Sequence, residues 1–172
     1  SKSKIQIVQD IAEELPVAPV MSYFLCDSWY TSVKIMDCFI KKGFHTIGAL
    51  KTNRILYPCG IRQKASEFAL HLRKNEPNVS LVTVGGREFY VYRYEGKLND
   101  IPNAAVILSY PKEAFGNPKA LRVFLSTNVD LSTKEILDTY TKRWSIELFF
   151  RQSKSKLALD KYQIRSKQGI QR

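Results

Sequence analysis

In the first fifty residues, segments whose hydrophobic positions recur with the period of a helix alternate with short runs of apolar residues. Pro16 would end the first helix, because proline lacks the backbone N–H that the helix needs, and Gly43 would cap the second. Helices and strands that alternate with short connections are typical of α/β architecture. The predicted elements are a helix over 4–15, a strand over 23–26, a helix over 29–42 and a strand over 45–50.

The middle of the chain changes to short alternating runs. Pro58 and Gly60 predict a loop over 53–60, and Gly85–Gly86 between two alternating runs favours the tight turn of a β-hairpin. This stretch predicts an antiparallel insertion packed on the α/β core, and not a separate domain. Its predicted elements are a short helix over 64–72 and strands over 81–84, 88–94, 104–110 and 121–127.

A capping box at Ser132 and Glu135 predicts the start of a long helix. The helix would continue from Tyr140 to Lys154, a stretch without glycine or proline. We therefore expect one domain over 1–172, with three parts. These are an α/β core part over 1–52, a β-rich insertion over 53–130, and a C-terminal helix with a basic tail over 131–172.

The net charge of +11 predicts a polyanionic partner or an acidic membrane surface. Most of the excess lies in residues 141–172, which hold nine lysines and arginines against two acids. The segment 156–167 mixes these cations with a tyrosine and a glutamine. It is typical of a surface that follows a phosphate backbone, and the alternative is a basic tail that is merely solvated.

Cysteine usage and hydropathy point to the cytoplasm. The three cysteines lack the paired spacing of a disulfide or zinc site, so we expect reduced thiols in the core. No apolar run is long enough to span a membrane, and the start of the chain does not read as a secretory signal.

One stripe of the predicted C-terminal helix carries an unusual set of polar side chains. A helix turns about 100° per residue, so these side chains fall within a stripe about 80° wide. Apolar residues such as Trp144 and Phe149 surround the stripe, which predicts a largely buried helix whose carboxylate needs a cation or a metal. An alternative is a core helix with an ordinary Arg143–Glu147 ion pair. The residues of the stripe are Tyr140, Arg143, Glu147, Arg151 and Lys154.

Asp27 follows the predicted strand 23–26, and open α/β sheets bind ligands at the carboxyl ends of their strands. Asp27 could also cap the next helix. Asp27 and Glu147 would have to meet in space to share a metal. Tyr90, Tyr92 and Tyr94 share one face of a predicted strand, which favours ordinary sheet packing over a platform for stacking bases.

Four residues with fixed spacing carry a family resemblance. Tyr140, Arg143, Glu147 and Lys154 match the Tyr-x2-Arg-x3-Glu-x6-Lys signature of cut-and-paste insertion-sequence transposases with a DDE catalytic triad. Asp27, in its Asp-Ser-Trp-Tyr setting after a short strand, is similar to that family as well. The resemblance extends over 23–166, nearly the whole chain.

The resemblance implies a ribonuclease-H-like core with a β-rich antiparallel insertion between the second and third acids. It implies that Asp27 is the second catalytic carboxylate and Glu147 the third, and that both bind Mg²⁺ or Mn²⁺. Tyr140, Arg143 and Lys154 would contact DNA phosphates. We add Arg151, from the stripe, and Lys156, from the basic segment, to the expected DNA-binding residues.

The implied activity is hydrolysis of a phosphodiester at a transposon end, followed by attack of the freed 3′-hydroxyl on target DNA. The expected partner is DNA, at the transposon ends and at the target, with a homodimer on DNA as a further expectation and no membrane partner. A catalytically inactive DNA-binding protein derived from such a domain is the alternative function. A structural protein whose charge serves only solubility is a third interpretation.

The family's first aspartate has no clear counterpart in this chain. The acids before Asp27 are Asp10, Glu13 and Glu14, and all three fall on the predicted first helix. We therefore expect a core that is incomplete at its N-terminus, and a fragment that is inactive, or nearly so, on its own.

Overall fold

The computed structural model describes residues 3–15, 22–26, 33–98, 101–142 and 162–166. The protein has a mixed α/β fold with mostly antiparallel strand pairing. In chain order its helices and strands are α1 (Lys4–Glu14), β1 (Ser22–Cys26), α2 (Val33–Ile40), β2 (Phe44–Leu50), β3 (Ile55–Leu56), β4 (Gln63–Lys64), α3 (Ala65–Ala69), β5 (Val79–Val84), β6 (Arg87–Leu98), β7 (Ile101–Pro111), β8 (Arg122–Ser126), α4 (Thr133–Thr141) and β9 (Tyr162–Ser166).

The chain divides into two compact units. The first unit consists of residues 1–48 and 139–172, and the second unit of residues 49–138. The sequence predicted three parts, with boundaries after residues 52 and 130, and this division stays a prediction.

Three strands organise the first unit. β1 pairs in parallel with β2 on one side and antiparallel with β9 on the other. Parallel neighbours need a crossover connection, and α2 lies in the segment that joins β1 to β2. The predicted helix–strand alternation of the first fifty residues is thereby confirmed.

Local chemistry explains where the helices of the first unit begin and end. The Ser3 hydroxyl accepts a hydrogen bond from the Gln6 N–H at 3.1 Å, which caps the start of α1. Val8 and Ala12, four residues apart, bury one face of α1. Gly43, with a φ of 82°, donates its N–H to the Ile40 carbonyl and ends α2, as predicted.

The basic segment predicted after the long helix contains a strand. Residues 162–166 form β9, and Tyr162 lies opposite Cys26 in the register with β1. The backbone of these five residues is therefore part of the sheet, and the rest of the segment 156–167 lies outside the described residues.

The second unit is built on an antiparallel ladder in the order β5–β6–β7–β8. Gly85 and Gly86 have φ of 58° and 79°, so both occupy the left-handed region that a type I′ turn requires. Val84 and Arg87 pair directly across this turn. The predicted hairpin and the predicted antiparallel arrangement are confirmed.

Both faces of this ladder contribute to the core of the second unit. On one face, the Phe68 ring of α3 packs against Tyr92, with ring centroids 4.9 Å apart. Val91 and Ile107 on the opposite face are also buried, as are Ile136 and Leu137 of α4. The central strand β7 is buried over seven consecutive residues, 104–110, and burial on both faces explains its continuous apolar run over 104–108.

Two expectations for the middle of the chain were wrong in detail. The predicted loop over 53–60 contains β3 and a 3₁₀ turn over Pro58–Gly60. Cys59 lies on this turn with a φ of 54° and is exposed, so it is not the core thiol that we expected. Cys38 is half-buried.

Candidate active site

β1 leads directly to the first candidate catalytic residue. β1 is flanked on both sides by paired strands, and its last residue, Cys26, lies opposite Gly48 of the parallel strand β2. The carboxyl ends of β1 and β2 therefore point to the same edge of the sheet, where α/β proteins bind their ligands. Asp27 is the next residue in the sequence and lies outside the described residues.

α4 leads to the second candidate. The Ser132 N–H donates to Glu135 Oε1 at 3.2 Å, and the Glu135 N–H donates to Ser132 Oγ at 3.1 Å. This reciprocal pair confirms the predicted capping box, and the helix begins at Thr133 as expected. Tyr140, the first residue of the polar stripe, lies half-buried on α4. The other predicted site residues of this region, which lie outside the described residues, are Arg143, Glu147, Arg151, Lys154 and Lys156.

A guanidinium that the sequence did not single out lies at the start of α4. Arg93 of β6 donates to the Val129 carbonyl at 2.9 Å and to Thr133 Oγ1 at 3.3 Å. It also forms an ion pair with Glu95 at 3.3 Å. A positive charge between the apolar and aromatic residues 89–92 and Tyr94 was the available signal, but its partners are 36 and 40 residues away.

The turn between β8 and α4 has further hydrogen bonds. The Ser126 hydroxyl donates to the Asn128 carbonyl at 2.9 Å, and the Asn128 N–H donates back to Ser126 Oγ at 3.1 Å. Asn128 Oδ1 accepts from the Asp130 N–H at 3.0 Å. The backbone of this turn is thus fixed from the end of β8 to the beginning of α4.

The first turn of α4 is also joined to β5. The Lys134 ammonium donates to the Thr83 carbonyl at 3.0 Å and to Asp138 at 3.1 Å. The bond to Thr83 uses a main-chain acceptor on the outer strand of the ladder of the second unit.

The tyrosine row of β6 serves packing. Tyr92 and Tyr94 are only 6% and 8% exposed, and burial raises the pKa of both phenols. Tyr90 is half-buried against Phe115, with ring centroids 5.2 Å apart, and the Lys74 ammonium lies 5.1 Å from its ring. The rings of Tyr92 and Tyr94 are too enclosed to stack on bases. This confirms the interpretation of ordinary sheet packing at these two residues.

The acids, cysteines and histidines are the candidate metal ligands of the chain. Within the five described ranges, no group of three or more His, Cys, Asp or Glu side chains could hold a metal ion. Asp10 lies on α1, as predicted, and accepts a hydrogen bond from the Gln6 side chain at 2.9 Å.

Comparison with known families decides what kind of domain this is. The sequence model of the transposase DDE domain matches residues 1–172. The chain belongs to the transposase DDE domain family. Membership links it to the DNA cleavage and transfer of transposition, with DNA as substrate, and domains of this family generally use divalent metal ions.

Two further comparisons gave nothing more specific for this DDE domain. A search of curated proteins found no match, and a search of solved structures found none either. Among the described residues, no helix is long and apolar enough to cross a lipid bilayer.

Proposed function

We propose that this domain supplies two carboxylates, Asp27 and Glu147, to a transposase that cuts DNA at transposon ends and joins the freed 3′-ends to target DNA. The core that carries them would be ribonuclease-H-like. The observation that carries the proposal is the position of Asp27 directly after β1, a strand paired on both sides, in a chain that matches the DDE family throughout.

The donor set fits the metal that the family implies. Asp27 and Glu147 offer hard carboxylate oxygens, which Mg²⁺ and Mn²⁺ prefer. Bound at these carboxylates, the ions would polarise the phosphodiester and lower the pKa of the attacking water. The sequence stripe places three cations and a phenol around Glu147, so the DNA backbone would lie beside that carboxylate.

The chain's own side chains would hold and orient the DNA. Arg143 and Arg151 present planar forks that match phosphate oxygens in a bidentate way, whereas Lys154 and Lys156 act as point charges. Tyr140 would donate its phenolic hydrogen to a phosphate oxygen. Since a transposon has two ends, we propose that two copies of the protein act together on DNA.

Replacing the third acid tests this function. In protein expressed from its complete coding sequence, Glu147→Gln should lower nicking of a plasmid that carries the transposon ends by at least about 100-fold. DNA binding should persist because the change removes a metal ligand and no phosphate contact. The measurement is the rate of nicking in Mg²⁺ or Mn²⁺, with binding followed separately by gel shift.

Glu67→Gln is the matched control, because it makes the same chemical change at an exposed position on α3. It should nick DNA at the rate of the unaltered protein. Equal nicking by the Glu147→Gln protein would contradict the assignment of Glu147. DNA binding without nicking in the unaltered protein would favour a binding protein without catalysis.

A further inference from the structure

We propose that Arg93 is a positioning residue, which fixes the first turn of α4 and thereby the position of the signature residues that the sequence predicts to follow on the same helix. This inference rests on the proposed function, because it assumes that Glu147 takes part in DNA cleavage. It gives the β-rich second unit a role in the chemistry.

The contacts of Arg93 join three separate segments of the chain. Its side chain is 23% exposed. Nη2 donates to the Val129 carbonyl at 2.9 Å, in the connection before α4, and lies 3.3 Å from Glu95 Oε1. Nη1 donates to Thr133 Oγ1, on the first residue of α4. One guanidinium therefore connects β6, the connection and the helix.

The chemistry of arginine suits this task. Its planar fork holds two donor nitrogens in fixed geometry, so bonds to Val129 and Thr133 fix both the position and the direction of the helix start. Hydrogen bonds from a charged donor are also stronger than those between neutral groups. A lysine at this position would place its donors on one flexible ammonium, which holds the two acceptors in a less defined geometry than the planar fork does.

The surrounding contacts make the junction stiff enough to transmit that constraint. Ser126 and Asn128 close the turn after β8, and Ser132 and Glu135 cap the helix. Lys134 joins the first turn of α4 to β5. Arg93 adds a cross-link from the middle of β6, so the helix start is held from two strands of the same ladder.

A small error at the start of α4 grows along the helix. Glu147 is fourteen positions after Thr133 in a stretch that the sequence predicts to be helical. At 1.5 Å per residue that separation is about 21 Å, so a tilt of about 3° moves the carboxylate by roughly 1 Å. A displacement of that size in a catalytic group can cost about 100-fold in rate.

The test uses protein expressed from its complete coding sequence, with transposon-end DNA as substrate. Arg93→Ala should lower kcat for cleavage by about 10- to 100-fold, while KM and the Kd for DNA change less than about twofold. Arg93→Lys should recover only part of the loss. Hydrogen exchange of the amides of α4 should become faster in Arg93→Ala, measured at a temperature where the variant is fully folded.

Arg87→Ala is the matched control. Arg87 lies on the same strand and the same face, six residues from Arg93, and pairs with the exposed Glu113 at 3.0 Å. Its loss should change neither kcat nor the exchange of α4. If Arg93→Ala does not fold, Thr133→Val replaces it, since that variant removes one acceptor and leaves the charge in place. Thr133→Val should lower kcat by about threefold or more.

Unchanged kcat and unchanged exchange in Arg93→Ala would overturn the inference, as would wild-type kcat in both Arg93→Lys and Thr133→Val. Glu147→Gln separates this failure from a failure of the proposed function. If Glu147→Gln still cleaves DNA, the proposed function is wrong. If Glu147→Gln is inactive and Arg93→Ala cleaves normally, only the positioning role is wrong.

Discussion

Three tyrosines of the second unit are buried so far that their ionisation is coupled to folding. Burial is the main cause that raises the pKa of Tyr92, Tyr94 and Tyr110, and nearby Cys59 and Glu76 add to the effect at Tyr92. A raised pKa in the folded state means that the neutral phenol is favoured there. Its contribution to stability is therefore complete below the unfolded-state pKa of about 10 and is lost as the pH rises through the folded-state pKa.

We accordingly expect Tyr92, Tyr94 and Tyr110 to form a late set that ionises above the ordinary phenol pKa of about 10. The buried phenols should ionise last, and the urea midpoint should fall over the same pH range. Absorbance at 295 nm and urea unfolding at each pH would measure this. Tyr110→Phe should remove one phenol from the late set. Ionisation of these three phenols at the ordinary pKa of about 10, in folded protein, would contradict the expectation.

The proposed site residues differ from Arg93, the residue proposed to position them, in how far they can be recognised from the sequence alone. Helical spacing alone assembles Tyr140, Arg143 and Glu147 on one stripe, because the repeat of a helix is fixed. Arg93 could not be recognised this way. Its acceptors lie on the connection before α4 and on α4 itself, and only the fold brings these segments to β6.

Elements defined by local chemistry follow from the sequence. The Gly85–Gly86 turn and the Ser132–Glu135 capping box depend on residues within a few positions, and both occur as predicted. β9 was missed because its five residues lie among cations that suggested a surface following a phosphate backbone. The alternation of Tyr162 and Ile164 with polar neighbours was a strand signal, but pairing with β1 is non-local.

The capping box gives a prediction at the level of the helix. Ser132→Ala should lower the free energy of unfolding by about 1 kcal/mol, because the Glu135 N–H loses its acceptor at the start of α4. The urea midpoint should fall at an unchanged m-value. Ser80→Ala, at an exposed position on β5, should change stability by less than about 0.5 kcal/mol. Equal effects of the two changes would show that the cap does not stabilise the helix.

At the scale of the whole molecule, the two units have different relations to the proposed chemistry. The first unit contains Asp27 and Glu147 within its residue ranges, whereas the second unit forms the antiparallel ladder and holds the start of α4. The positive charge is concentrated after residue 140, in the part of the sequence that contains Glu147. An abundance of cations there suits a polyanionic substrate, and the DDE family provides the expectation that this substrate is DNA.

The pattern along the chain predicted the mixed α/β class, because helical and strand-like periods are local. It could not provide the spatial relation of Asp27 and Glu147, which are 120 positions apart in the sequence. The shared metal site that we propose would depend on the tertiary fold of the first unit, and both residues lie outside the described ranges.

The most direct test of the central claim is a metal-switch measurement on the second acid. Asp27→Cys, in protein expressed from its complete coding sequence, replaces a hard oxygen ligand by a soft thiolate. Mn²⁺ accepts such a ligand far better than Mg²⁺. We predict that this variant nicks transposon-end DNA in Mn²⁺ and not in Mg²⁺, whereas the unaltered protein is active in both. Undiminished nicking by Asp27→Cys in Mg²⁺ would contradict the assignment of Asp27 as a catalytic metal ligand.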